Sequence, residues 1–96
     1  MPYLLTVLKV DDYERWKTEF DCEEGKAFRK SNGMKSYQLF RTRNDPNTLA
    51  LLCEFDSFDF AQKFSHSDDL KEISMQSGVI EESGSWIIEE IEKISV

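Results

Sequence analysis

The chain has 96 residues, of which 40% are hydrophobic and 12% aromatic, and its net charge is −7. This length predicts one domain, 1–96, and leaves no room for a second core. Nucleic acid is disfavoured as a partner because polyphosphates need clustered cations, whereas acidic residues outnumber basic ones 19 to 12.

The first segment and the cysteines exclude two further classes. MPYLLTVLKV has only a short apolar stretch, with no basic leader, and runs into Asp11 and Asp12, which predicts a strand and no membrane partner. Structural zinc needs four Cys or His ligands, but the chain has only Cys22, Cys53 and one histidine. We therefore expect free thiols in a cytoplasmic protein and no metal.

The first half of the chain predicts a strand and two helical segments. Tyr3–Val10 is apolar on both faces, as expected for a strand in the middle of a sheet. Asp11 and Glu14 form a D-x-x-E box that predicts a helix start, and an apolar stripe follows at Tyr13, Trp16 and Phe20. A second helical segment around Phe28 should end at Asn32-Gly33.

The second half predicts a hairpin, a helical region and a last strand. Strands over 36–43 and 49–55 flank the turn NDPNT. A helix capped by Ser57 follows, and a shorter helical piece should run from Ser67 to Gly78 with Leu70 and Ile73 facing inward. The last strand is expected over 85–96.

This order, β-α-β-β-α-β, is the α+β pattern of a ferredoxin-like antiparallel sheet. Charged side chains in strands 2 and 4 indicate edge positions. Right-handed crossovers then give the strand order 4-1-3-2, with the helices on one face.

The two apolar faces of strands 1 and 3 also predict a partner. Helices cover only one face, so about five apolar side chains per chain remain uncovered, on the order of 8–15 kcal/mol of gross burial energy. Two copies together exceed the usual association cost of about 4–15 kcal/mol. We expect a homodimer in which the sheets pack face to face.

Three segments carry a family resemblance: VDDYERWKTEFD, FRTRNDPNTLALLCEFDSFDFAQKF and SDDLKEISMQSGV. With these, the chain resembles the antibiotic-biosynthesis monooxygenase-like (ABM) domains, which pair as dimeric α+β barrels. The resemblance covers nearly the whole chain and implies a pocket for a small apolar or aromatic ligand. For activity it implies varied reactions, among them the oxidation of phenols by oxygen without metal or flavin.

The resemblance also bears on cofactors. Haem-degrading relatives carry an Asn on strand 1, a Trp at the position of Phe64 and a His at the position of Ser74. Strand 1 here has no Asn, and the other two positions also differ. Because the iron would lack its axial ligand, we expect no haem and no other cofactor.

Two residues are candidates for proton transfer. Glu54 is a carboxylate in an apolar strand, where it could act as acid or base; the alternative is an ion pair with Arg41 or Arg43, or with a cation across the dimer. His66 is the one histidine of the sequence and a candidate general base, but its polar surroundings, FSHSDD, also fit a surface position.

Four aromatic residues are candidates for the substrate-binding wall. Tyr3, Tyr37 and Trp86 combine an apolar body with a polar tip, and Phe64 completes the set; the alternative is that they are core residues. A small basic group, Arg29, Lys30 and Lys35, could bind an anion or form solvated surface.

The favoured hypothesis is an enzyme-like domain that binds a small aromatic molecule and oxidises it without a cofactor. A non-catalytic ligand-binding module and a dimerisation unit without a ligand are the alternatives. The reaction depends on family analogy.

Overall fold

The strands and helices follow the predicted order. The computed structural model describes residues 2–67 and 78–96. Its elements are β1 (Pro2–Val10), α1 (Tyr13–Phe20), α2 (Glu23–Ser31), β2 (Met34–Arg41), β3 (Thr48–Phe55), α3 (Phe58–Ser65) and β4 (Val79–Glu89). No helix in these two ranges is long and apolar enough to cross a membrane.

The four strands form one antiparallel sheet in the order β2-β3-β1-β4, which confirms the predicted order 4-1-3-2 and the ferredoxin-like α+β fold. Tyr3 of β1 is paired with Glu54 of β3 and with Ile88 of β4. Since side chains alternate along a strand, this register assigns every strand residue to one of two faces.

The two faces of the sheet differ in burial. Along β3, the residues from Leu49 to Phe55 that face the helices are buried, while the residues between them are only partly covered. We call the helix-covered side the inner face; it carries Leu4, Leu8, Leu49, Leu51, Cys53 and Phe55. The opposite side is the outer face; it carries Tyr3, Leu5, Val7, Ala50, Leu52 and Glu54.

The first helix begins one residue later than the D-x-x-E box predicts. The carboxylate of Asp12 accepts hydrogen bonds from the backbone N–H groups of Glu14 and Arg15, at 3.1 and 3.4 Å, so Asp12 is the N-cap. The prediction of Asp11 was wrong because its carboxylate instead pairs with the Arg15 guanidinium at 3.1 Å.

Two other predicted helix ends, at Gly33 and at Ser57, are confirmed. The α2 helix stops before Gly33, which has a φ of +83°, and a Cβ there would collide with the Phe60 ring. The Ser57 hydroxyl accepts a hydrogen bond from the Phe60 N–H at 3.3 Å and caps α3. The piece predicted from Ser67, including Leu70 and Ile73, falls on 68–77 and lies outside the described residues.

The last strand lies earlier than predicted, over Val79–Glu89 instead of 85–96. It begins just after Gly78, whose backbone carbonyl accepts a hydrogen bond from the Asp11 N–H at 3.0 Å. It ends at Glu89 because that residue pairs with Pro2, the last partner that β1 supplies. Two register shifts along the pairing take up the extra residues.

Aromatic side chains join the helices to the inner face. Trp16 is buried and stacks on Phe20 with ring centroids 4.8 Å apart. Phe64 of α3 packs against Phe28 at 5.8 Å and against Phe55 at 5.3 Å. These contacts hold the helices over the sheet and set the height of the space between them.

Candidate functional site

A cavity of about 410 Å³ lies between the inner face and the helices. This volume falls within the usual range of about 300–1,000 Å³ for small-molecule sites. Its wall is mostly apolar; the described residues that form it include Leu4, Leu8, Trp16, Phe20, Phe28, Met34, Leu51, Cys53 and Phe64. Such a wall suits a small, largely apolar ligand.

Among the described residues that line this cavity, Arg29 is the one charged residue that is buried. It is 9% exposed, and its guanidinium carbon lies 3.9 Å from the centroid of the Phe20 ring. Burial lowers the pKa of Arg29, although the nearby Tyr37 hydroxyl and Asp21 carboxylate oppose this. The salt bridges found among the described residues do not include Arg29.

The nearby carboxylate of Asp21 is bound to other residues and does not pair with Arg29. Its carboxylate binds the Lys17 ammonium and accepts a hydrogen bond of 3.0 Å from the Tyr37 hydroxyl. Lys17 also donates to the Tyr37 oxygen at 3.2 Å. The Lys17 hydrogen bond in particular holds the pKa of Asp21 below its ordinary value. Arg29 is thus left with an aromatic face but no carboxylate partner among the described residues.

Polar groups lie on the sheet side and the helix side of the cavity. The hydroxyls of Thr6 and Ser85 are 3.2 Å apart on neighbouring strands, and both line the cavity. Glu19 from α1 and Glu82 from β4 line it as well. Such groups can orient a ligand, and the carboxylates can exchange protons with it.

Cys53 reaches the same cavity from the inner face but offers little reactivity. Its thiol is 1% exposed, and burial raises its pKa to about 12. The group is therefore protonated at neutral pH and acts as part of the apolar wall. In residues 2–67 and 78–96, no three His, Cys, Asp or Glu side chains gather as a metal site.

Glu54 and Tyr3 lie together on the outer face, away from this cavity. They are direct partners across β1 and β3. Desolvation and the negative charges of Glu54 and Glu90 raise the pKa of Tyr3. The salt bridges of the described residues do not include Glu54, and Arg41 instead lies 4.2 Å from the Tyr13 ring centroid.

The remaining candidates are divided among three places. Phe64 lines the cavity, and Tyr37 borders it through Arg29 and the edge of Phe20. Trp86 pairs with Leu5, lies on the outer face and is 51% exposed. His66 is the exposed C-cap of α3 and does not belong to the described lining of the cavity.

The structure brings forward residues that sequence reasoning did not place in a site. Arg29 belonged to a basic group for which anion binding and a solvated surface were both left open; in the structure it is buried, whereas Lys30 and Lys35 are exposed. Gly25 lies four residues earlier in the same helix, where glycine is unfavourable and indicates a close approach of another segment. A Cβ on Gly25 would lie 3.0 Å from the backbone oxygen of Phe20, a tight contact, and at an ordinary 3.4 Å from Nη1 of Arg29. The glycine therefore reports the close approach of α1 and α2 and gives no signal for the burial of Arg29.

Comparison with solved structures supports the same fold. The chain is similar to SnoaB, a cofactor-independent oxygenase from Streptomyces nogalater, with a TM-score of 0.73 and 10% identity over 97% of this chain and 95% of that one. It is also similar to a protein of Bordetella bronchiseptica with the provisional name antibiotic biosynthesis monooxygenase, with a TM-score of 0.70 and 14% identity over 94% and 96%. A protein of Deinococcus radiodurans with the same provisional name gives 0.66 and 13% over 100% and 98%.

These likenesses confirm the ABM-like resemblance at the level of the fold. No model of a protein family matches the chain, and no curated protein matches it. With identities of 9 to 16% to these and similar structures, the fold is shared while the chemistry must be argued from this chain's own site.

Proposed function

We propose that the cavity binds a small, largely aromatic molecule and that Arg29 donates hydrogen bonds to an oxygen of that molecule. The observation that carries this proposal is Arg29, a largely buried residue without a carboxylate partner among the described residues, in the wall of an apolar cavity of about 410 Å³. A buried cation is costly unless an anion or hydrogen-bond acceptor accompanies it. A phenolate or enolate oxygen would supply both.

We further propose that the reaction is an oxidation by molecular oxygen that uses no cofactor. A carboxylate base would remove a proton from the substrate, and the anion would pass one electron to oxygen. Recombination gives a peroxide, which loses water and leaves a carbonyl where a CH2 group stood, so that one oxygen atom enters the product and the other leaves as water. The name of the similarly folded SnoaB supports this class.

The chain's residues would have separate parts in this reaction. Arg29 would stabilise the substrate anion, and a low-dielectric apolar wall strengthens that attraction. Glu19 and Glu82 line the cavity and are the proposed bases. Glu54 and His66 remain predictions from the sequence; since neither belongs to the described cavity wall, a part for them would require a second copy or another surface.

A binding module without turnover is the second candidate. The observation that favours it is that neither proton-transfer residue expected from the sequence lines the cavity. Such a module would bind the same aromatic molecules through the same cavity and Arg29, but would consume no oxygen.

We also propose that the protein works as a homodimer through the outer face. Its large apolar side chains on the described strands are not covered by the helices, and Phe40, Trp86 and Ile88 of the edge strands are more than a third exposed. Apolar surface of this extent usually marks an interface. The dimer would bury Tyr3, Glu54 and Trp86, leaving the cavity on the other side of each sheet.

The decisive experiment combines ligand binding with oxygen uptake. The metal-stripped protein is titrated with phenols, anthrones and hydroquinones while oxygen is followed with an electrode. Arg29→Gln should weaken binding of the phenols by about tenfold or more, since charge-assisted hydrogen bonds are lost. Lys63→Gln, an equal charge change on the exposed side of α3, should leave binding unchanged.

The outcomes separate the candidates. Oxygen uptake that falls in the Glu19→Gln or Glu82→Gln variant supports the oxygenase. Binding without uptake supports the module. Equal affinity in the wild type and in Arg29→Gln, with the fold intact by circular dichroism, would contradict the proposed site.

A further inference from the structure

A second, open cavity adjoins the first on the far side of Arg29. It lies between α2 and the start of β2 and measures about 570 Å³. We call it the basic groove; its described lining is Lys26, Arg29, Lys30, Met34, Lys35, Ser36, Tyr37 and Asp56. Arg29 and Met34 also line the apolar cavity, so the two spaces meet at these side chains.

The charge of the groove is opposite to that of the chain. Four cations and one carboxylate line it, a balance of +3, whereas the whole chain carries −7. Lys26, Lys30 and Lys35 form no salt bridge with another described residue. A third of the chain's 12 cations is thus gathered in one concave place without pairing among the described residues.

Helix electrostatics explains only part of this cluster. Cations are favoured in the last turn of a helix, which accounts for Arg29 and Lys30. Lys26 lies a turn earlier, where its i,i+4 spacing to Lys30 is repulsive, and Lys35 belongs to β2. These two lysines add positive charge where the helix itself does not call for it.

We propose that the basic groove binds an oxyanion with two negative charges, such as a phosphate monoester or a pair of carboxylates, on the ligand whose apolar part fills the cavity. This inference rests on the proposed function and names the class of ligand. Arg29 is nine-tenths buried, has no carboxylate partner among the described residues and reaches both spaces.

Charge and shape both favour this kind of anion. A lone carboxylate would leave most of the +3 uncompensated, whereas a dianion balances most of it. Lysine ammonium groups act as point charges on phosphate, and arginine adds a planar pair of donors. A large polyanion fits poorly because the rest of the chain is strongly acidic.

The test uses isothermal titration calorimetry at low salt with four probes: 2-naphthol, 2-naphthyl phosphate, a naphthalene dicarboxylate and inorganic phosphate. We expect at least one naphthalene dianion to bind about tenfold more tightly than 2-naphthol, with an advantage that shrinks as salt is added. The tighter of the two dianions identifies the group. Inorganic phosphate alone should bind more weakly than either.

Two double variants with equal charge loss test the residues. Lys30→Gln with Lys35→Gln should weaken the preferred dianion by about fivefold or more and leave 2-naphthol unchanged. Lys63→Gln with Lys93→Gln, which lie outside the groove lining, should change neither.

Each contrary outcome has a separate meaning. Naphthol and both dianions binding alike would overturn the groove while leaving the proposed cavity in place. Binding of inorganic phosphate as tightly as the naphthyl ester would overturn a ligand that bridges the two spaces. Binding of no probe would overturn both proposals.

Discussion

The two faces of the sheet come from the same strands and carry similar apolar residues, yet only the inner face is largely buried within one chain. The β3 residues that face the helices, Leu49, Leu51, Cys53 and Phe55, are buried. The residues between them, such as Ala50 and Leu52, lie on the outer face and are only half-buried. Hydrophobicity alone therefore does not decide which face forms the core. The helices decide it, and what they leave uncovered defines where a second copy would pack.

The largest effect is expected for the inner face. Phe55 is 0% exposed and touches Phe64, so Phe55→Ala should lower the free energy of unfolding by about 3–5 kcal/mol. Urea denaturation followed by circular dichroism measures it. Phe58→Ala, at a residue 55% exposed, is the matched control and should cost much less. A loss under about 1 kcal/mol at Phe55 would contradict this view of the core.

A substitution on the outer face should disrupt the dimer and leave the fold of each chain intact. Leu52→Lys places a charge at its centre, next to Leu5 and Gln38 on the neighbouring strands. We expect sedimentation analysis to show dimers for the wild type and monomers for this variant, with helix content retained, because a lysine ammonium group loses its hydration at the centre of a mostly apolar interface. Phe58→Lys should leave the dimer intact. A monomeric wild type at high concentration would refute the proposed interface.

The reaction rates of the two cysteine thiols measure how well the inner face is protected from solvent. Cys53 is buried with a pKa raised to about 12, whereas Cys22 is exposed at the start of α2. In the folded protein at pH 8, N-ethylmaleimide should modify Cys22 at least about a hundredfold faster. Mass spectrometry of the peptides gives both rates, and urea should abolish the difference. Equal rates without urea would show that the inner face opens readily.

A smaller effect is expected at the start of α1, which carries Trp16 to the cavity. Removing the cap with Asp12→Ala should destabilise the protein by about 1 kcal/mol. Asp11→Ala, which removes only an exposed ion pair with Arg15, should cost less. Thermal denaturation of both variants checks the assignment of the cap, and the reverse ranking would contradict it.

The smallest expected effect is on the pKa of Asp21 and on the stability that this residue contributes at low pH. The pKa of Asp21 is lowered by hydrogen bonds from Lys17 and Tyr37, so its stabilising contribution is present above its ordinary value of 3.8 and is lost as pH falls through the lower, folded value. Tyr37→Phe removes one of these bonds and should shift the folded pKa of Asp21 upward. Carboxyl NMR titration of the wild type and the variant measures the shift, and an unchanged value would remove Tyr37 from this account.

Much of the candidate site was beyond sequence reasoning for a physical reason. Glu54 was expected near the site because it interrupts an apolar strand, but which side of the strand it lies on, relative to the helices, decides whether it faces the cavity. The side on which a strand residue lies depends on the pairing register of the strands. The pairing of Glu54 with Tyr3 is therefore known only from the assembled sheet. Arg29 lies in a basic stretch of the sequence, and no local pattern there showed that its side chain would be buried.

The sequence by itself determined the order of elements, the sheet order and the helix caps at Ser57 and Gly33, because periodicity and turn chemistry are local. Only the tertiary structure decided the extent of β4, since pairing with β1 sets both of its ends. It alone also placed Arg29 between an apolar cavity and a basic groove. Such a position depends on how helices settle on a sheet, and packing of distant segments leaves no local pattern.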